Sequence, residues 1–352
     1  MASGKCATSG ALTLTPEADT ADEARQLAGL LGDKVGLGGL LETLPRQSQQ
    51  VQVPGGDVTG FGWDDVDAET TAWWPQGLAT SAEADTPVVG SQRTVVLAAW
   101  YARNRAGQGD VACRVSVLDL SDDDRPRYGH ALLVDPHRRF WSRRRHRDVP
   151  VHAGGLVWSG DLLLVADTRR GMRVFDLRDL TRLPPGAKGF WGCDYVLPQR
   201  GRWLAGASGS APLRWSFASL DRTDPAGTWL VAGEYSAKGV GARVTRLPLE
   251  PLLAGERAEA VEVLVTDLPR MQGVARVDGS YWVSTSAGRR HRGHLWTGRP
   301  GSPFTQMAEA LPVGPEDISY DPTRRGLWTQ TEHPGQRFVF CAVLPAASRV
   351  QD

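Results

Sequence analysis

Lysine is scarce in this chain. Lys5, Lys34, Lys188 and Lys238 are the only four among 40 basic residues, and the rest are arginine. That bias fits a GC-rich coding sequence and carries no functional weight. The 40 basic residues are balanced by 40 acidic ones, so no net field draws the chain to nucleic acid or to an anionic membrane. No apolar run approaches the ~18 residues that would span a bilayer. The start, Met1-Ala-Ser-Gly-Lys-Cys6, lacks the apolar core of a signal peptide. Two localisations follow as expectations: cytoplasmic, or secreted with the leader removed and a start methionine in its place. Cysteine is also sparse. Cys6, Cys113, Cys193 and Cys341 lie far apart and form no CxxC pair, which excludes a zinc ribbon. Four cysteines allow three full disulfide pairings, and buried free thiols are an equal alternative. A Walker loop, a dinucleotide fingerprint, a GxSxG elbow and an HExxH helix are all missing, so phosphate-cradling and nicotinamide chemistry are disfavoured. The sequence names no cofactor and no metal site.

What is present is β-forming sequence punctuated by turns. Hydrophobic residues make up 41%, beside 40 glycines and 23 prolines, enough for a core broken by many tight turns. Residues 1–55 differ from the remainder. Thr20 to Leu31 carries apolar residues at helical spacing behind a Thr/Asp cap and predicts a short helix, and Leu40 to Leu44 suits a second turn. From residue 56 to 345 one layout recurs in five units, with 346–352 left as a tail. Each unit opens on a short strand rich in small residues: Pro75–Ala79, His152–Val157, Arg214–Ala218, Met271–Ala275 and Pro315–Ser319. A strongly apolar second strand follows, then alternating third and outer strands. Such a repeat predicts an all-β fold, a β-propeller with five blades. Glycine in the first strands fits crowding at the axis, and runs such as Leu162-Leu-Leu-Val-Ala166 fit second strands buried on both faces. The fifth unit ends at Leu344 without an outer strand, so Asp57 to Trp63 is expected to close the ring as that strand. Six blades would require Tyr195 to Ala205 to be an independent unit, and a β-sandwich is the other alternative.

Several motifs carry a resemblance. Trp73-Trp-Pro-Gln-Gly-Leu-Ala-Thr-Ser-Ala82, Val151-His-Ala-Gly-Gly155, Val165-Ala-Asp-Thr168, Arg173-Val-Phe-Asp-Leu177, Pro315-Glu-Asp-Ile-Ser-Tyr-Asp321 and Thr331-Glu-His-Pro334 are similar to those of a group of actinobacterial, often secreted, five-bladed propeller proteins. The resemblance spans roughly residues 57 to 344. It implies the propeller and export, and brings no established activity. Five-bladed glycoside hydrolases share the expected fold, but their local sequence patterns are missing, which leaves an analogy of fold alone.

In a propeller the starts of first strands and the ends of second strands meet at one mouth of the central channel. That rule selects Trp74, Gln76, His152, Arg214, Gln272, Glu316 and Asp317 from strand starts. From strand ends it selects Asp167, Glu234, Glu332 and His333. Convergent polar groups in a concave mouth are the default site. His152 and Glu316 are the acid/base candidates. Trp74, Gln76, Asp167, Arg214, Glu234, Gln272, Asp317 and Glu332 are the candidate ligand contacts. Because Glu316 and Asp317 are adjacent, strand geometry allows only one to face the channel. A carboxyl pair formed by Glu316 with Glu234 or Glu332 would permit acid/base catalysis. Gln76-Gly and Gln272-Gly recur in matching positions, and Trp73, Trp74 and Trp191 suit stacking near the mouth. The two histidines of His291-Arg-Gly-His294 are too few for zinc and fit loop decoration. The basic run from His137 to Arg147 fits a solvated loop, or an interaction platform around Arg143. The expectation is a monomer that binds a small molecule or carbohydrate, with no nucleic-acid or membrane partner. The alternative is a hydrolase, lyase or cyclase working at the same mouth.

Overall fold

A computed structural model describes residues 5–6, 11–54, 58–84, 93–104, 109–122, 125–136 and 146–345. Within them the chain is all-β, arranged as successive antiparallel meanders. The first runs Trp73–Thr80, Val95–Arg103, Asp110–Asp119 and Arg127–Pro136. The second runs Leu156–Ser159, Leu162–Asp167 and Gly171–Asp176, then the distal half of the long strand Tyr195–Ser208. The third takes Phe217–Asp221, Trp229–Gly233, Ala242–Pro248 and Glu262–Thr266. Met271–Val277, Ser280–Thr285, Arg292–Gly298 and Thr305–Val313 form the fourth. The last comprises Pro315–Asp321, Gly326–Thr331 and Phe338–Val343, with Thr59–Gly62 paired to Phe338–Phe340 as its outer strand. The innermost strands lie side by side in chain order, and Pro315–Asp321 packs against Trp73–Thr80. Sheets standing edge-on around a shared axis are the arrangement of a β-propeller.

Tyr195–Ser208 is one continuous strand. Its first residues pair in parallel with Ala131–Val134, and its later ones pair antiparallel with Gly171–Phe175. It therefore joins two meanders at their outer edges, and does not start a unit of its own.

The N-terminal segment carries two helices and several short strands. The first helix spans Ala21–Leu31, with Asp19 accepting the Ala21 N–H, and a second short helix spans Gly36–Leu41. Ala11–Pro16 adds a strand to the outer edge of the second meander, Lys5–Cys6 one to the third, and Gln49–Gln52 one to the last. Edge strands present unpaired N–H and C=O groups, and these additions cover three of them.

The second strands sit between neighbouring meanders, so both faces are buried and alternation disappears. Val95 to Ala102 is buried throughout, as is Leu163 to Ala166. Trp63 fills the seam between closing strand and first meander, edge-on to Trp100 (4.8 Å) and Tyr128 (5.0 Å). At the axis, glycine is required by close approach. A β-carbon at Gly77 would lie 2.6 Å from the Ala153 carbonyl oxygen, and one at Gly273 would lie 2.6 Å from the Ile318 nitrogen. The register shifts beside both, between Pro75 and Leu78 and between Met271 and Gly273. It shifts again between Pro315 and Ile318 in the last meander. The same β-bulge thus recurs in three inner strands, and Glu316-Asp317 occupies the place held elsewhere by Gln-Gly.

Candidate functional site

Glu316 and Asp317 sit together in the bulge of the last inner strand. In a bulge two residues oppose one, and both side chains are buried at the axis. Glu316 faces the mouth. Gln272 Nε2 donates to its Oε1 at 3.5 Å, and Gln76 bonds its carboxyl as well. Gln76 Nε2 also reaches Glu332 Oε2 at 3.4 Å, so one amide spans two carboxyl groups. Gln76 is fixed from behind, because Gln330 Nε2 donates to the Gln76 and Gly77 carbonyls at 2.9 Å each. Burial pushes the Glu316 carboxyl well above the usual range, reinforced by the charges of Glu332 and Asp317. That shift favours the protonated carboxyl, the form that can donate a hydrogen bond.

Asp317 works one layer deeper. Its Oδ2 accepts the backbone N–H groups of Leu78 and Leu156 at 3.2 Å, so one side chain from the last meander ties the first and second. Burial drives its pKa well up, against those two hydrogen bonds. Glu83 lies nearby and is equally buried, accepting from the Trp158 N–H at 3.5 Å. Burial raises it to about 8 despite hydrogen bonds from Ser319 and Trp158. Asp317 and Glu83 brace the inner ring.

The rim of the mouth is aromatic and charged. The His152 ring lies 4.1 Å from that of Tyr101, tilted by 33°, and its Nδ1 is 3.4 Å from Asp110 Oδ2. The Arg103 guanidinium covers both Tyr101 (5.2 Å) and Trp74 (5.9 Å). Trp74 is pinned by its indole N–H, which donates to the Thr71 carbonyl. Arg337 stacks on its ring at 5.6 Å. Buried Arg337 spends its donors on three main-chain carbonyls, those of Glu332, Asp67 and Trp73. Burial, with Arg114 nearby, lowers its pKa to about 10. It therefore sets the position of both Glu332 and the Trp73-Trp74 strand start. His333 lies 3.5 Å from Glu332 Oε1, and burial lowers its pKa.

Other expected site residues do not converge here. Glu234 is held by Arg243 in a two-pronged ion pair (2.7 and 2.9 Å) and also accepts the Arg214 N–H. It braces the third meander and does not face Glu316. Asp167 is engaged by buried Arg173 at 3.0 Å. The Arg214 side chain is exposed, and its residue precedes the inner strand, which begins at Phe217. His152 likewise precedes its strand, which begins at Leu156, although it stays at the rim. His294 sits in the strand Arg292–Gly298 and accepts the Glu309 N–H. Residues 137–145, including Arg143, lie outside the described residues, as does the tail 346–352.

The strand-end rule passed over Tyr101 and Arg103, though they end the second strand of the first unit, and Asp110, which opens the third strand, fell outside the rule. Arg337 gave no sequence signal, because its three acceptors are backbone carbonyls, two of them distant in the chain. A Ser116–His130–Asp67 chain was also missed. Ser116 Oγ and His130 Nδ1 lie 2.8 Å apart, and His130 Nε2 is 2.8 Å from Asp67 Oδ2. It copies the order of a hydrolytic triad, but Ser116 and His130 are both 0% exposed. Burial and Arg114 hold His130 down at about 4, hence neutral. Asp67 also binds Arg114 and Tyr128. The chain anchors the segment after the closing strand to the first meander.

Among the described residues no group of three or more His, Cys, Asp or Glu gathers as metal ligands, and no helix is long and apolar enough to cross a membrane. Cys113, Cys193 and Cys341 are free thiols. A separate cleft of about 290 Å³ lies between the N-terminal segment and the outer edge of the first two meanders. Glu17, Thr20, Glu23, Asp135, Gln199 and Arg202 contribute to its walls.

No family model matches the chain, and no curated protein matches it. Solved structures give distant likenesses. A GH43_1 enzyme from Xanthomonas citri is 12% identical with a TM-score of 0.38, over 79% of this chain and 90% of that one. A glucose dehydrogenase is 12% identical with a TM-score of 0.38, over 86% and 98%. The β-propeller domain of Cps50 (Swd1) from Myceliophteria thermophila is 12% identical with a TM-score of 0.33, over 77% and 96%. At these values the likenesses carry no weight for function.

Proposed function

We propose that the chain is a five-bladed β-propeller that binds a small polyhydroxylated molecule, a carbohydrate or a close chemical relative, at the mouth of its central channel. The ring of inner strands, one per meander, supports the blade count. The observation that carries the ligand class is the cluster at the recurrent bulges. Glu316 and Glu332 are linked by the Gln76 amide, Gln272 stands beside them, and Trp74, Tyr101 and His152 form the rim. Amides and carboxyls supply paired donors and acceptors for hydroxyl groups, and the partly exposed Trp74 ring accepts the apolar side of a sugar ring, with buried Tyr101 supporting His152 beside it. Arg103 and Arg337, both stacked on Trp74, hold that face in place.

A second reading follows from one specific feature. Burial and the neighbouring charges of Glu332 and Asp317 raise the Glu316 pKa, and a second carboxyl group stands close by, the disposition of a general acid facing a base or nucleophile. In this reading the protein is a hydrolase or lyase, and Glu316 delivers the proton to the leaving oxygen.

Calorimetric titration with a panel of pentoses, hexoses and uronic acids tests both. Wild type is expected to bind at least one of them, with Trp74→Ala and Gln76→Ala each weakening binding by about tenfold. Glu316→Gln should preserve binding in either reading, and under the enzymatic one it should abolish release of product from the matching glycoside. If no sugar binds and native mass spectrometry of protein from a producing host finds no small molecule, the ligand-binding reading fails.

A further inference from the structure

We infer that the candidate site continues outward from the mouth, over the same end of the first meander, to a second stacking position at Trp191, and that the ligand is a chain of sugar residues. This rests on the carbohydrate reading of the mouth and adds its length. Trp191 is 45% exposed, whereas most tryptophans here pack between sheets. Its backbone has φ of 56°, a left-handed conformation that a β-carbon disfavours, and it is flanked by Gly189 and Gly192 at positive φ. The loop therefore holds an indole at the surface on a backbone in an uncommon conformation.

The ring is also fixed in orientation. Its N–H donates to Asp148 Oδ2 at 2.8 Å, and its plane stands 80° to that of Trp73, centroids 5.7 Å apart. Trp73 is itself clamped by the Arg114 guanidinium at 4.7 Å. Behind the loop, Phe190 stacks on His146 at 5.0 Å and 20°. Trp73 immediately precedes Trp74, so adjacent residues at one strand start support the two stacking positions, one at the mouth and one outside it.

The surroundings select a glycan over a protein partner. Pro184 to Gly189, Gly192 and Asp194 are exposed small, proline or polar residues. A specific protein interface needs on the order of 800 Å² per side around its buried aromatic anchors. A lone rigid indole beside a carboxylate suits one sugar ring, whose C–H face stacks while its hydroxyls meet Asp148.

The test is affinity electrophoresis in gels containing arabinoxylan, arabinan, mixed-linkage β-glucan or polygalacturonate, with calorimetry on the constituent monosaccharides. At least one polymer should retard the wild type. Trp191→Ala should weaken that retardation by roughly tenfold, with monosaccharide affinity changed less than twofold, and Trp191→Phe should restore most of it. Unchanged retardation of Trp191→Ala overturns the inference. So does a protein that binds monosaccharide but is retarded by no polymer, and in that case the mouth reading stands. If neither monosaccharide nor polymer binds, both readings fall. Selective capture of peptides in place of glycans would assign the surface to a protein and overturn the inference as well.

Discussion

Glu83 offers the sharpest test of the axis. It is fully buried, and burial lifts its carboxyl from an ordinary 4.5 to about 8. Between those values the unfolded chain releases the proton while the folded chain keeps it. Because the folded-state value is the raised one, the stability it confers is complete below pH 4.5 and is lost progressively as pH rises toward 8. Each pH unit in that window is worth ~1.4 kcal/mol, so the stretch from about pH 5 to about 7.5 removes about 3 kcal/mol. For 352 residues, at roughly 2.1 cal/mol/K per residue, that corresponds to a fall in Tm of about 4 °C. Glu83→Gln keeps an acceptor for the Trp158 N–H and cannot ionise. Other buried carboxyls, Glu316 and Asp317 among them, contribute to the slope in both proteins and largely cancel in the difference. Calorimetric melts at half-unit pH steps should therefore show the Tm advantage of Glu83→Gln growing by about 4 °C from about pH 5 to 7.5. Parallel curves for the two proteins would refute the claim that folding traps a proton on Glu83.

Two further outcomes follow from buried charge. Asp67 is held below the usual carboxylate range because His130, Arg114 and Tyr128 together outweigh its burial. Asp67→Asn leaves Arg114 buried without its counter-ion and should lower unfolding free energy by about 3–5 kcal/mol, read as a shift in the urea midpoint; a loss below about 1 kcal/mol would contradict the buried-pair account. Burial pushes the Cys193 thiol up to about 12 and Cys113 higher still, so neither is a thiolate at neutral pH. Native protein should leave both unlabelled by an aromatic disulfide reagent at pH 8, with labelling only after denaturant is added.

The sequence by itself determined what depends on local pattern. Runs such as Val95 to Ala102, apolar without alternation, announce strands buried on both faces, and glycines at strand starts announce crowding. The recurrence of that layout carries an all-β radial fold. It also picked out Gln76, Gln272 and Glu316, because equivalent places in a repeat occupy equivalent places around an axis. Tertiary structure alone decided which polar residues are spent on support and which face the mouth. Glu234 and Glu316 look alike as carboxylates near strand ends. Glu234 is neutralised by Arg243 on the neighbouring strand of its own meander, whereas Glu316 is desolvated among the amides of two other meanders. The bulge that carries Glu316 and Asp317 is a register shift, invisible in strand periodicity. Arg337 binds backbone carbonyls contributed by Asp67, Trp73 and Glu332, so no side-chain pattern records its partners. Local periodicity sets which face a residue takes, but ionisation and pairing depend on neighbours that strand pairing within a meander and closure of the ring bring together.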